Sequence, residues 1–317
     1  MTIPALALND GSSIPQIGLG TYGLRGDEGA GVIAAAIELG YRHLDTAARY
    51  ENEEAVGEGI RRAGVARDEL YVTTKLDGQW QGEDRAIAGL AACLDRLGLD
   101  HVDLLLIHWP LPARGEYVST WCTFELLKAE GLTRSIGVSN FKPAHLEVLA
   151  AETSTVPAVN QIQLDPEVTR ADQRAYHATH GIITESYSPL GGTGGALLSS
   201  PVIAAIAERH ARTPGQIVLR WHVELGLVAI PKSATPSRLE ENLAVFNFSL
   251  TEGTCSSWRV STAAPAPVWT QTTPVTDRAR PSRSSVPHPD RCRARELGPR
   301  SHSRRAAAAR RWCLPER

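Results

Sequence analysis

The chain has 317 residues, 42% hydrophobic and 21% charged, with a formal net charge of −2. That profile fits a soluble globular chain of one large or two ordinary domains and argues against a fibrous, wholly disordered or membrane-spanning one. No apolar run approaches the ~20 residues that cross a bilayer, and the N-terminus MTIPALALNDGSSIP lacks the basic and apolar regions of a secretory signal.

In chain order, strands are expected at 16–20, 42–45, 70–75, 102–108, 134–139, 158–161, 182–185 and 227–230, because these runs are short and rich in Val, Ile or Leu. Helices are expected between them, for example at 31–39, 53–63, 84–97, 120–129, 143–150, 201–210 and 237–245, where apolar residues recur at spacings of three and four. Pro143, Pro201, Pro214 and Pro236 stand near helix starts, where proline is tolerated. Eight strands alternating with helices over roughly 250 residues predict an α/β (β/α)8 TIM barrel. The rival is an open, doubly wound sheet, which announces itself with GxGxxG after its first strand. Gly18, Gly20 and Gly23 have that spacing, but residues 24–27 separate them from the next helix, so the match is set aside.

The character of the chain changes near residue 252. Residues 1–252 carry 20 Lys and Arg against 31 Asp and Glu, whereas residues 253–317 carry 13 Arg, no Lys and 4 acidic residues. The second segment also has eight prolines and no Ile or Phe. Such a segment cannot bury a core and is expected to be a disordered tail on a barrel spanning 1–252. Its Arg, Pro, Ser and Ala bias resembles out-of-frame translation of a GC-rich gene, so a frameshift product is preferred to a nucleic-acid-binding arm. Five scattered cysteines (Cys93, Cys122, Cys255, Cys292 and Cys313) include no CxxC pair, so no zinc site is suggested and a cytoplasmic setting is expected.

In a parallel barrel, function gathers at the C-terminal ends of the strands. The second, third and fourth expected strands end on Asp45, Lys75 and His108, and Tyr50 lies just beyond Asp45. A phenol is a weak acid near neutral pH, but a nearby ammonium favours the phenolate and lowers its pKa. Lys75, fixed by Asp45, suits that task. Tyr50 could then donate a proton to a carbonyl oxygen while neutral His108 orients it. Alone, each residue has a blander reading as cap, solvated charge or packing group; their convergence favours the catalytic one.

The same residues lie in motifs that resemble the aldo-keto reductase family. Those motifs are GYRHLDTA at 40–47 with Tyr50 and Asn52-Glu53, TTK at 73–75, and VDL leading to HWP at 102–110. SIGVSNF at 135–141, PAVNQ at 157–161, SYSPLG at 186–191 and IPKSA at 230–234 follow in order, then Arg238, Glu241 and Asn242. The bacterial branch with 2,5-diketo-D-gluconic acid reductases is the nearest likeness. The resemblance implies a metal-free barrel reducing aldehydes, ketones or keto-sugar acids with NADPH. It assigns catalysis to Asp45, Tyr50, Lys75 and His108, with Tyr50, His108 and Trp109 toward substrate. It assigns nicotinamide contacts to Ser139, Asn140 and Gln161, ring stacking to Tyr187, and the 2′-phosphate clamp to Lys232, Ser233 and Arg238. Glu241 and Asn242 would lie near adenine, and Gly20, Thr21, Tyr22, Asp45, Ser188 and Leu190 complete the cofactor set. Trp80 also lies on a loop near the rim. A small carbonyl compound is the expected partner of a monomer, with no nucleic acid or membrane. Two departures stand out: Asp165-Pro166 replaces the family's His-Pro, and the likeness stops after residues 249–252. A weakly active or inactive reductase-like chain, or a cofactor-sensing binding protein, are the alternatives.

Overall fold

The computed structural model describes residues 3–192 and 196–250; the expected tail at 253–317 lies outside the described residues. A hairpin of β1 (Ala5–Ala7) and β2 (Ser13–Pro15) leads into a parallel sheet. Its strands are β3 (Leu19–Gly20), β4 (His43–Asp45), β5 (Tyr71–Leu76), β6 (Val102–Ile107), β7 (Thr133–Ser139), β8 (Val159–Gln163), β9 (Ile183–Tyr187) and β10 (Val228–Ile230), hydrogen-bonded in that order. The edges meet. Gly18 N donates to Ala229 O at 3.0 Å, Gly20 N to Pro231 O at 3.0 Å and Ala229 N to Gln16 O at 3.0 Å, which closes the (β/α)8 barrel.

Helices α1 (Gly26–Leu39), α2 (Glu53–Ala63), α3 (Glu83–Leu97), α4 (Tyr117–Ala129) and α5 (Pro143–Glu152) clothe the first half. α6 (Ala171–Thr179), α7 (Pro201–His210), α8 (Pro214–Glu224) and α9 (Pro236–Leu243) clothe the second. Their apolar stripes bury Ile33, Ile37, Val56, Leu90, Leu94 and Phe124 against the outside of the sheet. Each such side chain contributes about 1.5–3 kcal/mol. Glycine sets how closely two helices pack: a Cβ on Gly57 would stand 2.2 Å from Leu97 O, so only glycine lets α2 press on the end of α3. Inside the barrel, Leu104, Leu106, Val159, Val228 and Ile230 form a second core, stoppered from below by Leu8 and Ile14 of the hairpin. Lys128–Asp10 (2.7 Å) and Asn9 Nδ2 to Pro157 O (3.1 Å) fasten that stopper.

The expected barrel is present, with three differences. The first expected strand, 16–20, reduces to β3 plus a bridge from Ile17 to Ala229, since closure uses only a few ladder bonds. The hairpin was not anticipated, because three-residue strands carry no readable period. Nor was α6, whose sequence is polar and buries only His177. The GxGxxG glycines have structural origins here: a Cβ on Gly18 would lie 2.7 Å from Ile230 Cδ1 and 2.8 Å from the His43 ring at the closing seam, and Gly23 stands at φ +79°.

Candidate active site

Three strand ends and one turn raise four polar groups to the upper rim. Asp45 is the last residue of β4, Lys75 lies near the end of β5 and His108 directly follows β6. Tyr50 closes a single 3₁₀ turn, Ala48–Tyr50, after β4. That turn is pinned from beneath by Asn52, whose Nδ2 donates to Thr21 O at 2.7 Å and Leu24 O at 2.9 Å. The Thr46 hydroxyl donates back to Asn52 Oδ1 at 3.1 Å, so the turn is tied to the loop after β3. Glu53 is buried beside it, accepting from Thr74 Oγ1 at 2.8 Å and pairing with Arg96.

Lys75 is fully buried, and its three ammonium protons have three destinations. Nζ donates to Asp45 Oδ1 at 2.5 Å, to Thr46 O at 3.0 Å and to the Tyr50 hydroxyl at 3.4 Å. Burial alone would lower the Lys75 pKa, but Asp45 and then Tyr50 outweigh it and raise it, so the charge is secure. The Tyr50 ring meets the His108 ring edge-on at 6.0 Å and the Tyr22 ring at 5.2 Å. Burial, then the Lys75 and Arg49 charges, push His108 down to about 3, so its imidazole is neutral at physiological pH. Its Nδ1 has no hydrogen-bond partner among the described residues.

The expected lowering of the Tyr50 pKa is corrected. Burial raises it first, and Lys75 recovers only part of that rise, while Asp45 adds to it. The ammonium makes Tyr50 a stronger acid than burial alone would leave it, without bringing the phenol below its ordinary value.

Beside the tetrad lies a second polar group. Ser139 Oγ donates to Gln161 O at 2.9 Å, and Asn140 Nδ2 donates to Ser139 Oγ at 3.0 Å and His108 O at 3.1 Å. Asn140 stands at φ +63°, a conformation asparagine tolerates better than most residues. The Tyr187 hydroxyl donates to Asn140 Oδ1 at 3.0 Å, which anchors a half-buried ring. Gln161 Nε2 reaches Asp45 Oδ2 at 2.8 Å and so links the two groups. A cavity of about 550 Å³ opens here, lined by Thr21, Tyr22, Tyr50, Tyr187 and Leu190 and bounded by Pro231 and Lys232. Gly20, Asp45 and Ser188 also line it.

At the far end, Lys232 and Arg238 are exposed and make no ion pair among the described residues. Ser233 is buried, and its Oγ accepts from Thr235 N at 3.0 Å, just before Pro236 opens α9. Glu241 is half-buried. Asn242 is buried beside the Tyr41 hydroxyl, which makes it part of the helix packing. Trp109 is half-buried, its carbonyl accepting from Gln81 Nε2 at 2.6 Å. Trp80 turns toward α3, where a Cβ on Gly89 would strike its ring at 2.9 Å, so it packs there. Asp165 acts as a turn residue, with Oδ1 accepting from Glu167 N at 2.7 Å and Val168 N at 2.9 Å. Glu185 and His43, both buried beneath the tetrad, were not singled out from sequence. The available signal was an ionisable residue inside a short strand that a closed barrel buries on both faces.

A profile of the aldo/keto reductase family matches residues 16–260. The chain is 50% identical over 249 residues to a 2,5-diketo-D-gluconic acid reductase B of Corynebacterium sp., covering 78% of this chain and 90% of that protein. It is 46% identical over 246 residues to a methylglyoxal reductase DkgA of Salmonella typhimurium, covering 77% and 88%. Among solved structures it matches a mutant of Gox0644 in complex with NADPH, with 43% identity, a TM-score of 0.78 and coverage of 81% and 93%. The chain belongs to the aldo/keto reductase family.

Proposed function

We propose that the protein reduces aldehydes or ketones with NADPH and that Tyr50 delivers the proton. The observation that carries this reading is Lys75: one buried ammonium shared between Asp45 and the Tyr50 hydroxyl. NADPH, when bound, supplies the hydride to the carbonyl carbon.

The residues present fit that cofactor. Gln161 Oε1 accepts no hydrogen bond among the described residues, so it is free for a carboxamide N–H. Ser139 and Asn140 border it, and the Tyr187 ring offers a flat surface for nicotinamide. Lys232 and Arg238 suit a 2′-phosphate, Arg238 by a two-pronged contact, with the positive end of the α9 dipole beside them. Asn242 and Glu241 belong to the adenine end of the same reading, and Gly20, Ser188 and Leu190 to the nicotinamide end.

In the reaction, neutral His108 hydrogen-bonds the carbonyl oxygen and aims it at Tyr50. The Tyr50 O–H transfers its proton to that oxygen as negative charge grows there. Lys75, 3.4 Å away, stabilises the phenolate left behind, and Asp45 keeps Lys75 charged and aimed. Trp109 sits beside His108 and would flank the substrate. The names of the relatives favour small dicarbonyl and keto-sugar acid substrates. A cytoplasmic monomer completes the proposal; the exposed large apolar side chains (Tyr22, Leu39, Leu126, Val156 and Val202) are scattered around the described barrel. Following NADPH absorbance with methylglyoxal and with a keto-sugar acid tests the reading. NADPH binding without turnover of any carbonyl would favour a cofactor-sensing role instead.

A further inference from the structure

Directly beneath the tetrad lies a carboxyl group that the reaction described above does not use. Glu185 projects inward from the middle of β9, paired in register with Gln161 of β8 and Val228 of β10. Its side chain is wholly buried. Oε2 accepts from Gln161 Nε2 at 3.0 Å, and the same nitrogen donates to Asp45 Oδ2 at 2.8 Å. Oε1 has no hydrogen-bond partner among the described residues and lies 3.7 Å from His43 Nε2, which meets Thr73 Oγ1 at 3.0 Å.

Two consequences follow from counting donors and charges. A carboxamide has two N–H hydrogens, and both of Gln161's are committed to carboxyl oxygens. The amide therefore cannot flip, and its oxygen is the end left for a ligand. The charges that act on Glu185 are Lys75 and Asp45, one of each sign, while Asp103 of β6, also buried and felt by His43 and Tyr71, is paired with Arg67 and Arg134. β4 adds His43, held down to about 4 and therefore neutral, and β5 adds Tyr71, whose pKa is raised by burial and then by Glu185. β8 and β10 contribute only uncharged groups, Gln161 and Val228. An ionised Glu185 would place a second carboxylate against a single ammonium.

We propose that Glu185 is a positioning residue for the reaction, acting through Gln161 to fix the nicotinamide carboxamide and to set the net charge beneath Lys75. The inference rests on the NADPH-reductase reading of the rim. Burial, then Asp45, push the Glu185 carboxyl up to about 8, against the opposing pull of Gln161 and Lys75. At neutral pH it is mostly the acid, with Oε1 the natural seat of its proton. Above that pH, ionisation adds negative charge under the Lys75–Tyr50 pair. Tyr50 then becomes a weaker acid, and the cationic ring of NADP⁺ is favoured over the neutral ring of NADPH.

Glu185→Gln keeps the size and an acceptor for Gln161 but cannot ionise. For the wild type, kcat/KM for carbonyl reduction, normalised to pH 7, is expected to fall about five- to ten-fold by pH 9, and for Glu185→Gln less than about two-fold. The ratio of dissociation constants, NADP⁺ over NADPH, measured by fluorescence quenching, should drop over the same range in the wild type and stay flat in the variant. An effect confined to overall structure would shift activity at every pH equally and leave that ratio alone. Infrared difference spectra between pH 6.5 and 9 should show a protonated-carboxyl band lost from the wild-type protein. That measurement stands even if the variant does not fold: a wild type that loses no such band overturns the proposal. So do identical profiles for the two proteins. A wild type that neither binds nor oxidises NADPH refutes the reductase reading itself, which is a separate outcome.

Discussion

Replacing Tyr50 by Phe removes one oxygen, and the structure limits what else can change. Lys75 keeps Asp45 at 2.5 Å and Thr46 O at 3.0 Å, so no buried charge is stranded. The lost bond, at 3.4 Å, is near the long end of the range and is worth at most about 1 kcal/mol, so the melting temperature should hardly move. The chemical cost is much larger. His108, held down to about 3, is a neutral imidazole near neutrality, whose N–H can hydrogen-bond but is too weak an acid to give up its proton, and Lys75 is held above its ordinary range. With no substitute acid in place, turnover should fall about 10²- to 10⁴-fold, or about 3–5 kcal/mol of transition-state stabilisation. Saturating NADPH with a small aldehyde, followed by absorbance, gives kcat; fluorescence titration gives the cofactor dissociation constant. Turnover within ten-fold of wild type would refute the proton-donor assignment. So would a loss of cofactor affinity as large as the loss of turnover, since that would make Tyr50 a binding residue.

Arg238→Ala should raise the dissociation constant for NADPH about ten- to hundred-fold and leave that for NADH nearly unchanged, because only the former carries a 2′-phosphate; equal changes for both would remove the clamp assignment. His43, His177 and His222 are buried, and burial holds each to about 4 in the folded protein against about 6.5 when unfolded. The unfolded chain therefore binds more protons between these values, so stability is fully present above pH 6.5 and is lost as the pH falls toward 4. Glu185, raised to about 8, acts in the opposite sense between about 4.5 and 8, but as one group against three. Urea unfolding at pH 4.5, 5.5 and 6.5 should show the net loss on acidification, and a flat series would contradict it. A chain ended after Glu252 should retain the melting temperature and KM of the full chain if the segment beyond is inert; a lower melting temperature or a higher KM would show that it contributes to the barrel or the pocket.

Much of this was legible because burial constrains sequence. The strands from β4 to β10 are short and each carries Val, Ile or Leu, and helices such as Glu53–Ala63 and Pro201–His210 begin and end where their periodicity does. Asp45, Lys75 and His108 could be found because a polar residue ending an apolar strand is conspicuous. The hairpin, β3 and α6 were harder: too short, or too polar, to show a period. The Tyr50 acidity was misjudged in direction because sequence identifies the neighbouring ammonium but not the desolvation that opposes it. Glu185 was overlooked for a related reason: its importance lies in its distance to Gln161 and Asp45, residues far away in the chain. The sequence left Trp80 open between lining the rim and packing; the close approach of Gly89 gives it a surface to pack against.

The seam between Gly18 and Ala229 also bears on how the molecule forms. Its two sides come from opposite ends of the described chain, so loop closure across nearly the whole barrel must precede its last ladder bonds. Until β10 emerges during synthesis, β3 is paired only with β4, its seam side has no partner, and the hairpin stopper has an incomplete bore to fill. The early strands then expose unsatisfied edges, a state prone to pairing with other chains. Substitutions at the seam should therefore reduce yield of folded protein out of proportion to their effect on the finished barrel.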